Sequence, residues 1–233
     1  MTTLPDGATP AVEPRLADRP DPVVVFDLDG VLVDSFAVMR KAFAHAYHEV
    51  MGAGEPPFEE YCTHLGRYFP DIMRSMGLPL TLEEPFVRAS HELAHQVRVF
   101  PGVVDMLTGL RAGGVELCVA TGKSGVRARS LLDTVGLSGF FGAVVGSDEV
   151  PRPKPAADIV VEALARVGGR REAAVMVGDA VADLRSARAA GVVPIAATWG
   201  EGDPVELAAE DPVWTLDDPG DLLSVAGLPL GGR

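Results

Sequence analysis

The sequence predicts an α/β protein: a parallel sheet with helices on both faces, interrupted near its start by an inserted block of helices. Three observations carry this. Short continuous apolar runs alternate with stretches of helical period, as a sheet built from strand–helix–strand units requires. The runs lack the apolar–polar alternation of a half-exposed strand, so both faces of the sheet need cover. Between Asp34 and about Phe100 no such run occurs, although helical patterning continues. A chain of 233 residues, 47% hydrophobic and 23% charged, is long enough for one well-buried domain with an insertion. The architecture is Rossmann-like, with its site expected beyond the carboxyl ends of the strands.

The first strand is Val23-Val24-Val25-Phe26, which runs straight into Asp27-Leu28-Asp29-Gly30. Further buried strands are expected at residues 115–120, 143–145, 173–177 and 192–197, with helices between them at 125–135, 156–167 and 180–190. The insertion reads as helices at 36–51, 57–65, 69–76 and 82–97, broken at Gly52–Pro57 and Gly77-Leu78-Pro79. Ser35 is placed as the N-cap of the first. About 65 residues is too long for a loop, so the insertion is expected to be a small domain of its own. The organisation is then a flexible tail at 1–22, an α/β core at 23–34 and 100–233, and a helical cap at 35–99.

Composition narrows the function classes. Thirty-three acidic against 20 basic residues leave a net charge of −13, which repels phosphate backbones and argues against nucleic acid. Cys62 and Cys118 are too few for a disulfide framework and suit a reduced, cytoplasmic protein. No apolar stretch approaches the roughly 20 residues of a membrane span. The first 22 residues hold five prolines and no apolar core, unlike a secretory signal. No apolar patch settles oligomeric state, and a monomer or weak homodimer is expected.

Four strand ends carry candidate chemistry. Asp27 and Asp29 are two apart in an extended segment, so their carboxylates share a side. The second run delivers Thr121-Gly122-Lys123-Ser124-Gly125, a hydroxyl and backbone amides at a helix N-terminus, suited to cradling phosphate. Pro151-Arg152-Pro153-Lys154-Pro155 presents a lysine stiffly between prolines. Finally Gly178-Asp179-Ala180-Val181-Ala182-Asp183 places two carboxylates one helical turn apart. Each segment has an ordinary reading as a turn, cap or surface lysine; four in this order, each after a strand, do not.

This constellation resembles the haloacid dehalogenase superfamily of phosphotransferases, in its phosphoglycolate-phosphatase-like group with a helical cap after the first strand. The resemblance rests above all on Asp27-Leu28-Asp29-Gly30-Val31-Leu32-Val33-Asp34-Ser35 and Gly178-Asp179, and spans about residues 23–223. It implies that Asp27 is the nucleophile forming an aspartyl-phosphate, and that Asp29 is general acid and then base. Thr121 would hold a transferring oxygen and Lys154 would neutralise charge. Mg2+ would be held by Asp27, the backbone carbonyl of Asp29, and Asp179, with Asp183 in support. Asp29 also argues against the dehalogenase branch, which lacks it. Physical chemistry asks for the same parts, because a carboxylate attacking a phosphate dianion needs charge neutralisation and a proton for the leaving alkoxide.

Substrate selection is expected from the cap, with Arg67 in Leu65-Gly66-Arg67-Tyr68-Phe69 nominated, and from Gly122 and Lys123. More narrowly, Ser35–Arg40, His64–Met73, Ala120–Gly125 and Gly146–Pro155 resemble phosphatases of 3-amino-5-hydroxybenzoate synthesis in ansamycin-type antibiotic pathways. That implies a sugar or aminosugar phosphate as substrate. Two other activities compete. A phosphosugar mutase would use the same aspartates. His91-Glu92-Leu93-Ala94-His95 matches the zinc-protease helix motif, though no histidine follows His95 to complete the site.

Overall fold

In the computed structural model, which describes residues 16–228, the first apolar run divides its side chains between two layers. Val24 and Phe26 of β1 (Val23–Phe26) enter one hydrophobic cluster, and Val23 and Val25 enter another on the opposite face. This is why the strand reads as continuously apolar. In chain order follow β2 (Val33–Asp34), α1 (Phe36–Met51), α2 (Phe58–Cys62), α3 (Phe69–Ser75), α4 (Glu83–Glu92) and β3 (Arg98–Val99). Next come α5 (Val103–Ala112), β4 (Glu116–Thr121), α6 (Gly125–Thr134), β5 (Ala143–Gly146) and α7 (Asp158–Val167). The chain continues with β6 (Ala174–Gly178), α8 (Val181–Ala190), β7 (Val193–Ala197), α9 (Pro204–Ala209), β8 (Trp214–Leu216) and α10 (Asp221–Ala226).

Six strands form one parallel sheet in the order β5-β4-β1-β6-β7-β8. Helices α5, α6 and α10 cover the face of Phe26, through Met106, Leu107, Leu132 and Leu222. Helices α7 and α8 cover the other, through Ile159, Val160, Ala163 and Ala187. The chain steps from β1 to β4 and β5, then crosses back to place β6 on the far side of β1. That reversal opens a crevice at the carboxyl ends of β4, β1 and β6.

The cap has its own apolar centre, built from Phe43, Ala46, Phe58, Tyr61, Phe69, Ile72, Met73, Leu82 and Phe86. Phe69 and Phe86 stack with ring centroids 4.2 Å apart. Its chain leaves and re-enters the core through the antiparallel pair β2–β3, with Val33 opposite Val99 and Asp34 opposite Arg98.

Several expectations are corrected. The chain is docked from Leu16, earlier than residue 23: Leu16 is buried in the core, and Pro22 accepts the Glu116 N–H at 2.9 Å. Residues 1–15 of the expected tail lie outside the described residues. Ser35 makes no side-chain cap at α1. The helix expected over 82–97 ends at Glu92, followed by a 3-10 turn at Ala94–Gln96. A sixth strand, β8, extends the sheet, and α5 and the ribbon β2–β3 were not foreseen.

Candidate active site

Asp27 follows β1 directly and remains tied to the sheet, its N–H donating to the Val177 carbonyl at 2.9 Å. Leu28 points into the core, so Asp27 and Asp29 share the opposite side, as the strand period requires. Gly30 then turns the chain with φ +82°. A Cβ on Gly30 would lie 2.0 Å from an Asp179 carboxylate oxygen, so only glycine lets these two strand ends approach.

Strand order does the rest. With β1 between β4 and β6, Thr121, Asp27 and Asp179 emerge side by side. Lys154, from the segment between β5 and α7, reaches across to place its Nζ 2.9 Å from Asp27 Oδ1 and 2.5 Å from Asp183 Oδ1. Asp183 also accepts the Ala180 N–H at 3.1 Å, and Asp179 accepts the Glu201 N–H at 3.0 Å. Oxygens of Asp27, Asp179 and Asp183 lie within 4.8 Å of one another, and all three residues are buried.

Three buried carboxylates share one lysine, and the electrostatics record the deficit. Burial, with Asp183 and Asp29 adding, pushes Asp27 up to about 7 despite Lys154. Burial, Asp183 and Asp27 raise Asp179 well above the carboxylate range. Burial works against the charge on Lys154, but Asp183 and Asp27 outweigh it and its pKa is raised. A hard divalent cation is the group this donor set fits: buried carboxylate oxygens, excess negative charge, and a glycine-made gap beside Asp179.

Asp29 has a different environment. Its carboxylate accepts Ser35 Oγ at 2.5 Å and pairs with Lys123 Nζ at 3.0 Å. Burial acts to raise its pKa, but Lys123, Ser35 and Arg127 overcome that and hold it below the usual range. Its side chain stands outside the three-carboxylate group, so its expected place in a metal site rests on the backbone carbonyl alone.

The loop after β4 differs from the expected amide cradle. The Lys123 N–H goes to Thr121 Oγ1 at 3.2 Å, and the Gly125 N–H goes to Asp148 Oδ1 at 2.7 Å. Two of its amides are thus consumed, and the loop offers the cavity its Thr121 and Lys123 side chains. Gly122 is a contact point: a Cβ there would lie 2.6 and 2.7 Å from the carbonyl oxygens of Gly66 and Arg67. The cap loop therefore rests directly on the core loop. Between them is a cavity of about 110 Å³, lined by Asp27, Asp29, Thr121, Lys123, Asp179 and Arg67 among others. Arg67 approaches His64 Nδ1 at 3.3 Å.

The structure thus brings together Asp27, Asp29, Thr121, Lys154, Asp179 and Asp183, with Arg67, Gly122 and Lys123 at the cavity. Sequence reasoning missed three residues. Ser35 was read as a helix cap and instead holds Asp29. Tyr61 and Arg127 line the cavity without any motif to announce them. The zinc-protease alternative loses its geometry, because α4 ends between the two histidines and His95 Nδ1 lies 2.9 Å from the Glu92 carbonyl. Among the described residues, the only group of three or more possible ligands is the aspartate set. Cys62 and Cys118 are free thiols, and no described helix is long and apolar enough to cross a membrane.

The sequence matches the haloacid dehalogenase-like hydrolase family over residues 24–197. A probable phosphatase, IndB, of Dickeya dadantii is 33% identical over 218 residues, covering 88% of this chain and 93% of that protein. A phosphoglycolate phosphatase of Caulobacter vibrioides is 34% identical over 212 residues, covering 84% and 87%. Among solved structures, a haloacid dehalogenase-like family hydrolase from Streptococcus pneumoniae aligns with a TM-score of 0.74 at 25% identity, covering 87% of this chain and 97% of that one. Fold, site and sequence agree, and the chain belongs to the haloacid dehalogenase-like hydrolases, among the phosphatases that resemble phosphoglycolate phosphatase.

Proposed function

We propose that the protein is a cytoplasmic, Mg2+-dependent phosphomonoester hydrolase acting through an aspartyl-phosphate on Asp27. The observation that carries this is the division of labour between two neighbouring carboxylates. Asp27 lies in the charge-deficient cluster with Lys154, while Asp29 is held apart by Ser35 and Lys123. Lys154 engages Asp27 Oδ1, which leaves Oδ2 to attack phosphorus. The ester P–O bond breaks, and the leaving oxygen takes a proton from Asp29. Asp29 then accepts a proton from water, which attacks phosphorus, releases phosphate and regenerates Asp27.

Asp29 as found is ionised, the form needed for the second half. To carry a proton in the first half it must lose the hold of Lys123. An anionic substrate drawing Lys123 away removes the largest cause of its low pKa. Thr121 donates its hydroxyl to a phosphoryl oxygen. Mg2+, when bound, supplies positive charge against the phosphoryl oxygens. Asp27, Asp179 and the Asp29 carbonyl would hold it, with Asp183 fixing Lys154 behind them.

The cavity size favours a small phosphorylated metabolite, with Gly122, Lys123 and Arg67 contacting it. The sequence resemblance proposes a sugar or aminosugar phosphate of an ansamycin-type pathway, and the relatives' names add 2-phosphoglycolate. A monomer or weak homodimer is sufficient, since the site draws on one chain. The test is phosphate release from a panel of these compounds by the wild type in Mg2+, in EDTA, and by Asp27→Asn. Release that requires both Mg2+ and Asp27 supports the reading. An isomerised phosphosugar without free phosphate would replace it with the mutase.

A further inference from the structure

The cavity holds a cation that, among the described residues, makes no hydrogen bond or ion pair with the phosphoryl-transfer groups and acts on Asp29 only through space. Arg127, on the first turn of α6, forms part of the cavity wall, its guanidinium carbon 5.3 Å from the centroid of the Phe86 ring in the cap. The other lysine and arginine of the cavity have partners: Lys123 has Asp29, and Arg67 has His64. Among the described residues Arg127 pairs with no carboxylate and donates to no acceptor; Asp29, Tyr61, Glu83 and Asp148 act on it only through space. Beside it is Tyr61, 5% exposed and lining the same cavity, whose hydroxyl has no hydrogen-bond partner among the described residues. Burial raises the Tyr61 pKa, so its hydroxyl stays a neutral donor.

A desolvated guanidinium and a buried phenol, both unpartnered and facing one space, are complementary to an oxyanion. The surrounding wall is mainly apolar, with Phe36, Leu65, Phe69 and Phe86 outweighing Ser90, His91 and Ser130. It offers a ring of hydroxyls few partners and a hydrocarbon body good contact. We infer that Arg127 and Tyr61 form a second anion subsite, which receives a carboxylate carried on an apolar organic body of the substrate. This rests on the phosphomonoesterase reading and departs from the sugar phosphate that the sequence resemblance implies. It makes Arg127 a specificity residue. The competing role is purely structural, a clamp of α6 onto the cap through Phe86, indifferent to what the ligand carries.

The experiment pairs ligands that differ only in the carboxylate. Turnover of 4-carboxyphenyl phosphate and phenyl phosphate is compared with calorimetric binding of 4-carboxybenzylphosphonate and benzylphosphonate, all with Mg2+. Wild type, Arg127→Met, Arg127→Lys and Tyr61→Phe are measured. The wild type is expected to favour the carboxylated member of each pair by about 10- to 100-fold, as a charge-assisted hydrogen bond allows. Arg127→Met should bring that ratio close to unity in turnover and in binding, a comparison within each pair in which any effect of the lost charge on Asp29 cancels; Arg127→Lys and Tyr61→Phe should lower it in part. Equal wild-type affinity within each pair would overturn the inference. So would an equal loss for both ligands in Arg127→Met, which is the signature of a clamp, or glucosamine 6-phosphate outcompeting the carboxylated ester. The two readings separate cleanly. Carboxylate preference among the phosphonates without phosphate release from any ester retains the subsite and sinks the phosphatase. Release without preference does the reverse.

Discussion

Replacing Asp179 with asparagine should make the metal-free protein more stable and the metal-loaded protein less so. Asp179 is 4% exposed, its pKa is pushed well above the ordinary carboxylate range by burial, Asp183 and Asp27, and its one hydrogen bond among the described residues is from the Glu201 N–H. Asparagine keeps a carbonyl oxygen for that bond and removes the charge. At neutral pH, keeping such a carboxylate charged in a buried site beside two others works against folding. After relaxation and water entry, removing the charge leaves a net gain of about 1–2 kcal/mol for Asp179→Asn. For a chain of this size that is about 2–8 °C in Tm. The wild type should recover about 2.7 kcal/mol at a Mg2+ concentration near 100 times Kd, and the variant almost none of it. Thermal unfolding of both proteins in EDTA and in Mg2+ reads the crossover. A variant less stable than wild type in EDTA, or one stabilised equally by Mg2+, would refute the argument that these carboxylates are held together against their repulsion for a cation.

The other predictions concern the neighbours of that cluster. In EDTA the pH dependence has a definite sign: Asp27 has a folded pKa raised from 3.8 to about 7, so its contribution is full below its unfolded pKa and is lost as pH rises through the folded one. Asp29, with a lowered pKa, loses its contribution only below the unfolded carboxylate value. Tm of the metal-free protein should therefore fall between about pH 4 and pH 7; a steady rise would contradict the charge deficit. Ser35→Ala removes a 2.5 Å hydrogen bond from Asp29. It should lower kcat by about 3- to 30-fold and move the acidic limb of the pH–rate profile upward; an unchanged profile would leave Ser35 without a role. Gly122→Ala would drive a Cβ against the Gly66 and Arg67 carbonyls, 2.6 and 2.7 Å away. It should lift the cap loop and cut kcat/KM by about 10-fold or more with the circular dichroism spectrum unaltered; full activity would show that the cap loop need not rest there.

What the sequence discloses follows from how each feature writes itself into a pattern. Strands buried on both faces become continuous apolar runs, so five of the six parallel strands were legible, their ends within a residue. The site was legible for a related reason: Asp27, Thr121 and Asp179 sit where such runs stop. β8 has only three residues with Thr215 exposed, too short to show a period. Helix α5 carries Val103, Met106, Leu107 and Leu110 at helical spacing, but Gly109 interrupts the pattern and Gly102, Gly113 and Gly114 flank it. Gly109 is there because a Cβ would lie 2.8 Å from Leu223, so α10 can pack closely. Arg127 and Tyr61 meet only once the cap closes over the core, and no local pattern in either segment encodes that meeting. Ser35 misled because a serine before a helix is most often its cap.

The most direct measurement of the central claim is a rapid acid quench of the wild type turning over its best phosphomonoester in Mg2+, followed by peptide mapping. The account predicts a phosphoryl group on the peptide containing Asp27, located on that residue. It should be absent in Asp27→Asn and, with 4-nitrophenyl phosphate, whose leaving group departs without a proton from Asp29, should accumulate when Asp29 is replaced by asparagine. Phosphate released at full rate by Asp27→Asn, or a phosphoryl group found on another residue, would contradict it.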